Sequence, residues 1–239
     1  MTVVAILGSK HSPGATTLAV ALGAVTSADD DALVVEADPA GGDVAARAGL
    51  PLDPGLLTLA AAGRRGLTAA LLDVHTQRLA NGTPVLVAPS SPEHAHAAVR
   101  GLAGNMEDTL RGRAGLTIVD VGRWDPQSPA SEILRSVDVI VAVFRPTVEG
   151  VEHLRTRLAA IPGLPVVAVM VGEHPYRVEE VRSALGLDVV HVIADDPRAA
   201  MVGAGASHDR WLRRSAYVRS VTALRSHIVG ITAREVVAS

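Results

Sequence analysis

Short apolar runs alternate with longer amphipathic stretches along the whole chain. Val3–Leu7, Ala32–Glu36, Pro84–Ala88, Leu116–Asp120, Val137–Phe144, Pro165–Val171 and Leu187–Ile193 are nearly unbroken apolar segments. A strand with one face in water alternates apolar and polar residues, whereas continuous runs mark strands covered on both faces. The stretches between them carry helical spacing: Thr16–Val25, Pro92–Gly104, Ser128–Ser136, Val148–Ala160, Val178–Leu185 and Arg210–Val229. Strand–helix alternation predicts an α/β fold, a doubly wound and mainly parallel sheet of about seven strands flanked by helices. Residues 43–80 hold more helix than one crossover needs, with breaks at Pro51, Pro54 and Gly66, so a helical subregion beside the sheet is expected. Pro39–Gly42, Gly122–Pro129 and Gly203–His208 are expected as loops at the functional edge. The 239 residues show no linker and no repeat, which fits a single domain over 1–239 that ends in an Arg-rich helix over 210–239.

The first strand runs into Ser9-Lys10-His11-Ser12-Pro13-Gly14-Ala15-Thr16-Thr17 and then into an apolar helix. Such a strand–loop–helix points backbone N–H groups inward and adds the positive end of the helix dipole, so it favours phosphate. The general phosphate-binding loop reads G-x-x-x-x-G-K-[ST]. Aligned on Gly14 and Thr16, this chain has Ser9 at the first glycine and Ala15 at the lysine. Thr16 is placed to ligate Mg²⁺, and Thr17 to reach another phosphate. G-x-G-x-x-G and G-x-S-x-G are both absent, which leaves no starting point for a dinucleotide fold or a serine hydrolase. The histidines lack metal-ligand spacing; His94 and His96 lie two apart in a helical run and face different sides.

Composition sharpens one residue. Lys+Arg is 22, yet Lys10 is the only lysine and the other 21 are arginine. A bias that removed lysine everywhere except in a phosphate-loop candidate points to a place where arginine will not serve. Cysteine is absent, which excludes disulfides, iron–sulfur clusters and thiolate nucleophiles. No apolar run approaches the roughly 18–20 residues of a membrane span, and no basic-then-apolar leader precedes the first strand, so a cytoplasmic location is expected. Five aromatics and a net charge of -3 argue against nucleic acid as a partner. Charge is uneven: residues 198–239 carry seven Arg against Asp209 and Glu235. Any DNA contact made there is expected to be weak and salt-sensitive.

The loop resembles the deviant phosphate-binding loop of the ParA/MinD superfamily, K-G-G-x-G-K-[ST], with Lys10 at the upstream signature lysine. His11 and Ser12 replace its two glycines, and Ala15 its second lysine. Within that superfamily the chain most resembles TadZ/CpaE-like pilus-assembly localisation proteins, which keep the first lysine and often lose the second. Glu36-Ala37-Asp38-Pro39-Ala40-Gly41-Gly42-Asp43 resembles the family's D-x-D-P-x-G-G switch segment, with Glu36 in place of its first Asp. Asp120 resembles the carboxylate that holds Mg²⁺ through water, and Gly122 a switch-like position near the γ-phosphate. Ala194-Asp195-Asp196-Pro197-Arg198 resembles the family's P-x-D-P segment, which lines adenine.

The resemblance implies a phosphate-loop nucleotide-binding domain and a homodimer with ATP·Mg²⁺ between protomers. Lys10 would reach the partner's nucleotide, and Asp38 would orient water and face the metal. Residues 10–17, Asp196 and Pro197 would hold nucleotide, and Thr16 and Asp120 the metal. It further implies a positioning or scaffold role for pilus or secretion machinery at a cell pole or the inner membrane face. Loss of the lysine at Ala15 removes a charged contact worth roughly 1.5–3 kcal/mol, so turnover is expected to be slow or absent. A scaffold that binds no nucleotide and a DNA-binding partitioning ATPase are the alternatives. Peripheral membrane association stays open, but the stripe Tyr217, Val218, Val221, Leu224, Ile228 and Ile231 lacks bulky anchors and is expected to pack on the domain.

Overall fold

The computed structural model describes residues 1–9, 13–26, 31–161, 163–196 and 215–238. Eight strands form one sheet: β1 (Thr2–Gly8), β2 (Ala32–Glu36), β3 (Gln77–Arg78), β4 (Pro84–Leu86), β5 (Leu116–Arg123), β6 (Val139–Phe144), β7 (Val166–Val171) and β8 (Val190–Ile193). Their spatial order is β3-β4-β2-β5-β1-β6-β7-β8, with β1 inside and flanked by β5 and β6. Every pairing is parallel except β3 with β4.

The helices are α1 (Ala15–Thr26), α2 (Val44–Ala48), α3 (Leu56–Ala62), α4 (Ala69–His75), α5 (Pro92–Ala103), α6 (Met106–Arg111), α7 (Val148–Ala159), α8 (Val178–Leu185) and α9 (Ala216–Ala238). The pleat divides β1 cleanly. Val4 and Ile6 pack toward α1, α2 and α9, through Leu18, Leu22, Val44, Val221 and Ile228. Val3, Ala5 and Leu7 pack toward α3 to α8, through Leu59, Leu72, Val99, Leu110, Leu154 and Val181. Both faces of the sheet are therefore dry, which is why its strands read as unbroken apolar runs.

The structure corrects three expectations. The sheet has eight strands rather than about seven, because Gln77–Arg78 adds an antiparallel edge to β4. Two polar residues at an edge carry no apolar signal; the cue was Asn81-Gly82, a turn pair that closes this hairpin through Leu79 N–H to Thr83 O at 3.0 Å. Ser128–Ser136 forms two 3₁₀ turns, Pro129–Ser131 and Ile133–Ser136, because the Ser128 and Ser131 hydroxyls bond to Ala130 N–H and Asp125 O and compete with a continuous helix. Met106–Arg111 is a further helix that apolar periodicity did not reveal. The helical subregion over 43–80 is present as α2, α3 and α4, ending in β3.

Tyr217, Val221, Leu224 and Ile228 of α9 are buried in the core shared with α1, and Thr232 Oγ1 meets Thr2 Oγ1 at 3.1 Å. The apolar stripe of the C-terminal helix thus faces the domain. Among the described residues no helix is long and apolar enough to cross a membrane. The expected loop Gly203–His208 lies outside the described residues.

Candidate functional site

The site is built where β1, β2 and β5 end together. In an open parallel sheet this edge collects the strand-to-helix loops and forms the usual ligand crevice. Gly8 closes β1, Ser9 follows with its N–H bonded to Val143 O at 2.9 Å, and Pro13 is buried beside Gly8. Gly14 adopts φ 95°, a left-handed conformation that turns the chain into α1. The first helical bond runs from Leu18 N–H to Gly14 O at 2.9 Å. The N–H groups of Ala15, Thr16 and Thr17 are therefore left without a helical partner. Ser9 is fully buried, and among the described residues its hydroxyl has no hydrogen-bond partner. Lys10, His11, Ser12 and Pro197 lie outside the described residues.

Asp120 stands on β5 in register with Ile6 on one side and Glu36 on the other. It is 1% exposed, and its Oδ1 accepts Gly122 N–H at 3.0 Å. Burial pushes its pKa up to about 7, against the hydroxyl of Thr16, which favours the charged form; Glu36 and Asp38 push it further up. Among the described residues its Oδ2 has no hydrogen-bond partner within normal geometry. A buried carboxylate oxygen without a partner, beside a threonine at a helix N-terminus, fits a hydrated divalent cation. Among the described residues no three acidic or histidine side chains form a metal cage. That suits Mg²⁺, which keeps its waters and takes one or two protein groups together with phosphate oxygens.

Asp38 lies just beyond β2. Its Oδ1 accepts Ala40 N–H at 2.8 Å, and its carboxyl lies against the α-carbon of Gly122. Burial raises its pKa, the Ala40 bond and Arg123 oppose this, and Asp43 reinforces it. Gly122 has φ 61°, and a β-carbon there would fall on the Asp38 carboxyl group. The two sequence motifs thus meet through a contact that neither shows alone.

Glu36 is a functional-edge residue whose role the sequence did not reveal. It is 2% exposed; Oε1 accepts the N–H groups of Asp43 and Val44 at 2.7 and 2.9 Å, and Oε2 that of Ala88 at 2.9 Å. One carboxylate therefore ties the loop carrying Asp38 to the end of β4. Burial raises its pKa, and the three N–H bonds oppose this. It is turned toward backbone, away from any metal role. Glu36→Gln turns an acceptor oxygen into a donor facing an N–H, so a loss of about 1–3 kcal/mol is expected. Denaturant titration measures it, and amide exchange at Asp43, Val44 and Ala88 should speed up. Unchanged exchange at all three would contradict the anchoring role.

Asp196 follows β8, three strands from β1, and is half-buried. Its neighbour Asp195 pairs with Arg145 at 2.9 Å, bridging the ends of β6 and β8. The structure thus gathers Gly14, Ala15, Thr16, Thr17, Asp38 and Asp120 at the centre of the edge, with Asp196 toward its far side.

No protein-family model matches the sequence, and no curated protein matches it. Solved structures do. A ParA family ATPase from Chlorobium tepidum superposes with a TM-score of 0.80 at 17% identity, covering 95% of this chain and 98% of that one. The septum site-determining protein MinD from Pyrococcus horikoshii, complexed with Mg-ADP, gives 0.76 at 15% identity, covering 95% of each chain. MinD in a MinC:MinD cell division complex from Aquifex aeolicus gives 0.71 at 13% identity, covering 96% of each. The chain has the fold of the ParA- and MinD-type ATPases.

Proposed function

We propose that the protein binds ATP·Mg²⁺ between two protomers and acts as a nucleotide-gated positioning factor. The observation that carries this is the buried Asp120, whose Oδ2 has no hydrogen-bond partner among the described residues, next to Thr16 at the start of α1. In this reading the N–H groups at the start of α1 cradle phosphate, and the Thr16 hydroxyl ligates the metal. Asp120 holds the metal through water, Asp38 orients the attacking water, and Asp196 with Pro197 lines the base. Bound Mg²⁺ supplies the charge that neutralises the phosphate oxygens. Lys10 reaches the nucleotide of the second copy. The client, by resemblance to TadZ/CpaE-like proteins, is pilus or secretion machinery at a cell pole or inner membrane face. Turnover is slow, because Ala15 offers no charge to the bond that breaks.

Calorimetric titration of ATP with Mg²⁺ into wild type and Lys10→Ala tests this. Saturable micromolar binding, weakened at least about tenfold by the substitution, is expected. A second reading, a scaffold that binds no nucleotide, is favoured by His11 and Ala15, which stand where the motif has a glycine and a lysine. No heat of binding up to millimolar ATP would establish it in place of the first.

A further inference from the structure

Ala15 leaves the phosphate loop without its second lysine, so beside Mg²⁺ and the second copy's Lys10 there is room for one more cation from within the same chain. The register of β5 shows where one stands. Ile6 pairs with Asp120, but Gly8 pairs with Arg123, so β5 spends three steps where β1 spends two. The extra residue is at Gly122, whose left-handed backbone makes a bulge. Bulges re-aim the side chain that follows them and recur next to functional sites.

The consequence can be read from the neighbours. Val121 and Trp124 both remain in the core on the α5 face of the sheet. Without a bulge Arg123 would share the face of Val121. With it, Arg123 takes the register of Gly8, which follows Ile6 on the α1 face of β1. A β-carbon on Gly8 would lie 3.6 Å from Cβ of Ala15, the position vacated by the lysine. Arg123 and Ala15 therefore flank the same strand end. Arg123 is exposed, and among the described residues its side chain makes no ion pair or hydrogen bond. Its charge acts on Asp38, whose carboxyl sits on Gly122; it is also felt by Arg157 of α7 on the other face of the sheet, as a side chain at the open strand edge is reached from both sides.

We infer that Arg123 supplies, from within the same chain, the positive charge for the terminal phosphate that Ala15 no longer provides. This rests on the nucleotide-binding reading above and specifies it: the preferred ligand is a nucleoside triphosphate over the diphosphate. Arginine suits the role because its fork donates two parallel bonds to phosphate oxygens and does not lose its charge. The bulge at Gly122 and the alanine at 15 are then two halves of one exchange, in which the cation has moved from the helix to the neighbouring strand.

Fluorescent (mant-labelled) ATP and ADP, each titrated with Mg²⁺ into the full chain, test this. Arg123→Ala is expected to weaken ATP about tenfold to a hundredfold, while ADP changes far less. Arg123→Lys should keep most of the preference, and Ala15→Lys combined with Arg123→Ala should restore ATP affinity. Thermal melts check that each variant folds. Arg123→Ala binding both nucleotides like wild type overturns the inference while leaving the nucleotide site standing. An equal loss for ATP and ADP overturns it too, since it marks a general structural role. A double variant no tighter than Arg123→Ala would show that the two positions do not serve one phosphate. Wild type binding neither nucleotide at millimolar concentration would overturn the reading and the inference together.

Discussion

Gly122→Ala is expected to cripple the site while leaving the fold standing. Two costs add. A residue with a β-carbon at φ 61° strains the backbone by about 1–2 kcal/mol. The new methyl also falls on the Asp38 carboxyl group, which must leave its place against β5. With 1 kcal/mol worth roughly 2–4 °C in a chain of this size, the melting temperature should fall by several degrees. The functional loss should be larger: displaced from Gly122, Asp38 loses the position from which the proposed function has it orient water, so ATP-dependent dimerisation should be lost. Differential scanning fluorimetry and light scattering with and without ATP·Mg²⁺ measure the two effects. Gly101→Ala is the control. Gly101 lies exposed in α5 with open space around it, so alanine there should raise stability by up to about 1 kcal/mol. If Gly122→Ala behaves like Gly101→Ala, the coupling between Asp38 and β5 is wrong.

Asp120→Asn carries the second large effect, and its sign depends on pH. In the metal-free protein the folded carboxyl keeps its proton up to about pH 7, whereas the unfolded chain releases it near 3.8. Between those values the folded state binds more protons, so stability falls as pH rises and flattens above about 7. At 1.36 kcal/mol per pH unit the total loss is on the order of 4 kcal/mol. Glu36 and Asp38, both with raised pKa, act in the same direction. Asparagine at 120 has no proton to lose. Its melting profile in chelator should be flatter from acid to neutral pH and lie above wild type at pH 8. The same variant should lose the tightening of ATP binding by Mg²⁺, because a neutral amide holds the hydrated ion poorly. A wild-type stability that climbs steadily from pH 4 to pH 7 would show that Asp120 does not carry this burden.

The same residues divide what could be read from what could not. The phosphate-loop candidate, Asp38 and Asp120 were legible because each sits at a strand end inside a local pattern of strand, turn and helix. That pattern is set by neighbours along the chain. Glu36 gave no such signal. Its partners are Asp43, Val44 and Ala88, the last brought beside it only when β4 pairs with β2. Arg123 gave none either: its place follows from a register slip between β1 and β5, and pairing register is a property of two strands. The two-residue edge strand at Gln77–Arg78 escaped for a related reason, as it buries too little apolar surface to impose a pattern.

Sequence alone determined the α/β class, the parallel sheet with both faces covered, and the order of the loops that reach its functional edge. These follow from hydrophobic periodicity and turn chemistry, which act over a few residues. Tertiary structure decided that the Asp38 carboxyl rests on Gly122, that Glu36 ties two loops together, and that Asp120 lies buried with one oxygen unpartnered. It also decided that Arg123 takes the register of Gly8 at the end of β1. Those outcomes depend on which distant backbones come within hydrogen-bonding distance, and on the dielectric that burial creates around the groups caught between them.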